Sequence, residues 1–90
     1  MDQKLSQHRK KIDALDDELF VVLQKRFHEV ARLAEWKKEK GKEFLDAQRE
    51  AEILDHIRQK LPSSNLPHQQ TLELWQKILD ISHSIGAGKK

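Results

Sequence analysis

Apolar residues recur along the first part of the chain at intervals of three, four and seven. Leu5, Ile12, Leu15, Leu19, Val22, Leu23, Val30, Leu33 and Ala34 make up this series, and such spacing lines up side chains on one face of an α-helix. It predicts a helix from about Lys4 to Lys40. A second series, Ile53, Leu54, Ile57 and Leu61, predicts a helix from about Ala47 to Lys60, with Asp46 as its N-cap. A third, Leu72, Trp75, Ile78, Leu79, Ser82 and Ile85, predicts a helix from about Pro67 to Ile85. Nowhere do apolar and polar residues alternate long enough to specify a strand. The expected fold class is all-α, with three helices per chain.

The breaks agree with this division. Gly41 follows a lysine-rich turn, as a helix C-terminus prefers. Pro62 to Pro67, PSSNLP, is a loop, and Gly86-Ala87-Gly88 ends the last periodic stretch. Residues 1–90 are expected to form one domain, with 86–90 as a flexible tail. A first helix of this length measures about 54 Å at 1.5 Å per residue. A compact chain of this size has a diameter of only roughly 30 Å. The helix would overrun such a globule with its apolar stripe bare, and a second copy packed along it removes the problem. An intertwined homodimer is therefore expected, a kinked or fraying helix being the other solution.

Charge and composition remove several classes of function. The chain carries 17 basic and 15 acidic side chains, a net charge of +2. Its one basic cluster, KKEKGK from Lys37 to Lys42, is interrupted by Glu39 and has no interleaved aromatics, so no nucleic-acid partner is expected. There is no cysteine to form a disulfide or a thiolate metal site. His8, His28, His56, His68 and His83 include no i, i+4 pair, and neither a metal nor another cofactor is expected. No apolar run is long enough to span a membrane, and the polar start MDQKLSQHRKK lacks the core of a signal peptide. A cytoplasmic location is expected. Trp36 and Trp75 read as packing residues, and Glu29, Glu35, Glu39 and Glu43 as solvated charges.

Four cations, however, sit where the periodicity asks for apolar side chains. Arg26 lies four after Val22 and four before Val30, and Lys37 lies seven after Val30. Arg9 lies four after Leu5, and Arg49 four before Ile53. Long cationic side chains can snorkel, burying their stems and keeping their heads in water. They can also pair with internal carboxylates, although the stripes offer few. The third possibility is an external anion with two carboxylates, which guanidinium groups hold with paired hydrogen bonds. Arg26 and Lys37 are about 16 Å apart along the helix axis, within joint reach of one small metabolite. Arg9 is about 25 Å from Arg26, so it reaches the same ligand only from an antiparallel partner copy.

The series Arg9-x-x-Ile12-Asp13-x-Leu15-Asp16-x-x-Leu19, Arg26, Lys37, Asp46-x-x-Arg49-Glu50-x-x-Ile53-Leu54 and Ser82 resembles the AroQ-class, type II chorismate mutases over roughly residues 5–85. The resemblance implies an all-α dimer with two equivalent sites, each built from both subunits. It implies that Arg26 and the partner copy's Arg9 bind the two carboxylates of chorismate, and that Lys37 donates to the ether oxygen. It places Asp46 and Glu50 at the substrate hydroxyl, Asp46 through its backbone, with Arg49 and Ser82 completing the polar wall. The activity implied is the pericyclic rearrangement of chorismate to prephenate in aromatic amino-acid biosynthesis, which needs no nucleophile or cofactor.

The sequence departs from that pattern at one position. The family commonly places Gln or Glu four residues after the position of Ser82, as a second donor to the ether oxygen, and here that residue is Gly86. Losing such a donor costs about a hundredfold or more in rate unless another group, such as His83 or Ser84, replaces it. Other readings of the same pocket are isochorismate-pyruvate lyase, amino-deoxychorismate mutase, or a non-catalytic domain that senses chorismate or prephenate. A helical interaction module whose cations merely snorkel is the remaining alternative.

Overall fold

The computed structural model describes residues 3–88. Helix α1 spans Gln3–Glu39, α2 spans Ala47–Lys60 and α3 spans His68–Gly86, with one 3-10 turn over Leu61–Ser63. No strand occurs among the described residues, and the all-α expectation holds. No described helix is long and apolar enough to cross a membrane.

The ends of the helices follow from local chemistry. Gly41 adopts φ +69°, a left-handed conformation that glycine enters without the penalty of a Cβ. That turn lets Lys42 N–H donate to the Lys37 carbonyl at 2.8 Å and Gly41 N–H to that of Lys38 at 3.1 Å. Two carbonyls left over at the end of α1 are thereby satisfied. Asp46 is extended, and its Oδ1 accepts from Arg49 N–H at 3.0 Å, capping α2 as expected. Pro62 is the second residue of the 3-10 turn. The chain then reverses through Asn65 at φ +61°, and Ser64 Oγ both donates to the Leu61 carbonyl at 2.7 Å and accepts from Leu66 N–H at 3.1 Å. Pro67 is the extended residue before α3, which starts at His68 and runs one residue beyond Ile85.

Helix α3 is the hub. It packs against both α1 and α2, which touch each other little. Leu61, Ile78 and Leu79 are the buried apolar residues, joined by Thr71 and Ser82. The whole is elongated, 60 × 27 × 16 Å, with a radius of gyration of 16.8 Å, against about 12 Å for a compact chain of this length. The excess is α1, which has no buried residue at all. Along its N-terminal two thirds, Leu5, Ile12, Leu15, Leu19 and Val22 are 45–61 % exposed within the single chain. Trp36 is also half exposed, with Lys42 Nζ above its ring at 5.9 Å, rather than packed in the core. Trp75 is partly covered.

Candidate active site

The C-terminal part of α1, the N-terminal part of α2 and the last turns of α3 enclose a cleft of about 580 Å³. Its walls carry six of the seven residues expected from the sequence: Arg26, Lys37, Asp46, Arg49, Glu50 and Ser82. Val30, Leu33, Phe44, Ile53 and Leu79 supply apolar wall between them. The seventh, Arg9, is exposed on α1 and outside the cleft. An unbroken helix sets it about 25 Å from Arg26.

Arg26 is half buried on α1 and donates from Nη1 to Ser82 Oγ at 2.8 Å. Ser82, buried on α3, passes the interaction on by donating to the Ile78 carbonyl at 3.0 Å. The Arg26 guanidinium is held below its ordinary pKa, first by loss of hydration and then by the positive charge of Arg49. Two guanidinium groups thus face the same space and repel. Lys37, in the last turn of α1, donates from Nζ to the Phe44 carbonyl at 3.0 Å and lies 5.4 Å from the Phe44 ring centroid.

Two of the cleft's three carboxylates are engaged elsewhere. Asp46 caps α2, and Glu50 pairs with His83 Nε2. That is the one close contact between a basic and an acidic side chain among the described residues, so Arg26, Lys37 and Arg49 form no salt bridge with Glu29, Asp46 or Glu50. Internal pairing with a carboxylate is not seen for these three cations, while Arg49 is exposed and Arg26 and Lys37 are partly covered. A cationic pocket with apolar panels is matched to an anion that carries a hydrocarbon body.

Three residues of the site lay outside the expectations for it or had another role. Glu29, read as an ordinary solvated charge, lies at the cleft wall. His83, one residue past Ser82, reaches across to Glu50 of α2. Phe44 belongs to no periodic series, and the loop after Gly41 carries it into the wall. Gly86, where the resemblance calls for Gln or Glu, has no room for a side chain. A Cβ there would fall 2.2 Å from Phe44 Cδ2. Gly86 is the last residue of α3, where a glycine reads from sequence simply as a helix end.

A family model described as chorismate mutase type II matches residues 8–85. No curated protein and no solved structure matches the chain.

Proposed function

The chain belongs to the chorismate mutase type II family, and from that premise we propose that it rearranges chorismate to prephenate in the cleft between its three helices. One observation carries the reading. Arg26, Lys37 and Arg49 line a single cleft with apolar walls, and none of the three forms a salt bridge with the carboxylates Glu29, Asp46 and Glu50 that share it. In this reading a dicarboxylate substrate supplies the direct partners that these cations lack.

In this reading Arg26 grips one carboxylate, already aligned by its hydrogen bond to Ser82. Arg49 adds positive charge beside it. Lys37 spends one of its three N–H donors on Phe44 and turns another toward the ether oxygen. Glu50 and the backbone of Asp46 meet the substrate hydroxyl. The reaction breaks a C–O bond as a C–C bond forms, within one molecule and without any proton transfer. Catalysis then consists of holding the chair-like conformer in which the reacting carbons meet. It also consists of stabilising negative charge as it grows on the ether oxygen. Groups that do this better for the transition state than for the substrate lower the barrier.

The second carboxylate is assigned to Arg9 of a second copy. Support comes from the bare apolar stripe of α1, which an antiparallel copy would cover while bringing its own Arg9 to the cleft. The active species is then a homodimer with two shared sites, and the pathway is aromatic amino-acid biosynthesis in the cytoplasm.

The test follows the ultraviolet absorbance of chorismate with purified protein and identifies the product by acid conversion to phenylpyruvate. Turnover to prephenate is expected. Tight binding of chorismate without turnover would instead favour a sensing domain, a reading to which the missing side chain at Gly86 lends some weight. Pyruvate released from isochorismate would favour the lyase.

A further inference from the structure

We propose that Phe44 is a positioning residue for Lys37, and that position 86 is glycine because the Phe44 ring occupies the volume of any side chain there. The inference rests on the reading of the cleft as a mutase site, and it deepens that reading at one end of the cleft.

Three observations meet at this ring. The Phe44 carbonyl accepts from Lys37 Nζ at 3.0 Å. The same ammonium stands 5.4 Å from the ring centroid, within the range of a cation–π attraction. One edge of the ring lies against α3 so closely that a Cβ on residue 86 would meet Cδ2, Cε2 and Cγ at 2.2, 2.4 and 2.5 Å. Real Cβ atoms do not approach so near, so a side chain at 86 would require the ring to move. The ring therefore neighbours the Lys37 ammonium and fills the volume that a side chain at 86 would take.

The ring also borders two spaces. It lines both the cleft and a smaller cavity of about 260 Å³ that it shares with Leu45, His83 and Gly86. An unclamped lysine has four rotatable bonds and loses much entropy when fixed. Here the loop closes back on the lysine over seven residues, and carbonyl and ring hold the head group at the cleft wall before any ligand arrives. Preorganised donors of this kind contribute to a rate because they need no rearrangement during the reaction.

The experiment combines a double-mutant cycle with a spectroscopic reading of Lys37. Variants F44L, F44Y, F44A, G86A and F44A/G86A are compared with wild type, and circular dichroism verifies the helical fold of each. The Lys37 ε-methylene signal is read by carbon–proton NMR and assigned by its loss in K37M. Ring shielding is expected to place this signal upfield in wild type and F44Y, and to vanish in F44L and G86A. In the same two variants kcat is expected to fall about tenfold, the scale of one desolvated cation–π contact, with KM little changed. In the F44A background, G86A is expected to add less than about twofold, since the clash has gone. An unmoved Lys37 signal in F44L would overturn the proposal, as would a G86A effect that adds fully to F44A or a loss confined to KM. If wild type fails to rearrange chorismate, the mutase reading falls. The Lys37 signal and a thermal-stability cycle between positions 44 and 86 then still decide whether this arrangement exists.

Discussion

Replacing Arg26 by alanine separates the binding role of its guanidinium from any structural one, and the structure supplies both magnitudes. On the folding side the loss is small. Arg26 donates one hydrogen bond, to Ser82 Oγ, and Ser82 keeps its bond to the Ile78 carbonyl, so no buried hydroxyl is orphaned. Against that loss, the variant removes a partly desolvated charge that Arg49 repels. The lowering of the Arg26 pKa by lost hydration and by Arg49 means that folding disfavours its charged form. Near neutral pH both the folded and unfolded chains keep the proton, so this penalty is constant there. It eases only in strongly alkaline solution, where the folded chain releases the proton first and stability from this group rises with pH. The balance predicts a change in unfolding free energy within about 1 kcal/mol of zero. On the binding side, a hydrogen bond to a charged group contributes about 1.5–3 kcal/mol net. A two-pronged grip on a carboxylate therefore contributes about 3 kcal/mol or more, which is roughly a hundredfold or greater loss in kcat/KM at 1.36 kcal/mol per tenfold. Lysine keeps the charge and loses the fork, so R26K should fall between wild type and R26A. Urea unfolding followed by circular dichroism gives the first quantity, and the chorismate absorbance assay gives the second. Unfolding of R26A, or a kcat/KM within about fivefold of wild type, would refute this account of Arg26.

Three further outcomes are expected. R9A and R26A should each be nearly inactive alone, yet mixing and re-equilibrating them should restore about a quarter of wild-type activity, because half of the dimers then carry one intact site; no recovery would remove Arg9 from a shared site. Replacing Leu79, which is 2 % exposed at the contact of α3 with the other helices, by alanine should cost about 2–5 kcal/mol in urea unfolding. Replacing His83 by alanine should cost under about 1 kcal/mol, since side chains exposed to 37 % and 23 % make a weak pair. The Glu50 carboxylate that this variant releases can then turn toward the cations, so KM for chorismate should rise with little change in kcat.

The helices were legible in the sequence because their signals are local. Periodicity reports faces, Asp46 and Gly41 report ends, and each involves residues no more than a few positions apart. The same locality explains why Arg26, Lys37 and Arg49 could be singled out: a cation on an apolar stripe is visible without knowing what lies opposite. What lies opposite was not visible. Phe44 and Gly86 are 42 positions apart, and Glu50 and His83 are 33 apart. No spacing rule connects a loop residue to a helix it meets only through the fold. Gly86 shows how far such a reading extends. From the sequence it is an absence, a donor missing from an expected place. In the fold it is the complement of a ring, since only a residue without a Cβ lets Phe44 stand where it neighbours both α3 and Lys37. The exposed stripe of α1 illustrates the opposite limit, being fully legible in the sequence while the single chain leaves it uncovered. Leu5, Ile12, Leu15, Leu19 and Val22 lie on the stretch that also carries Arg9. Whatever covers that stretch decides together how the long helix is stabilised and whether the cleft gains its second carboxylate-binding arginine.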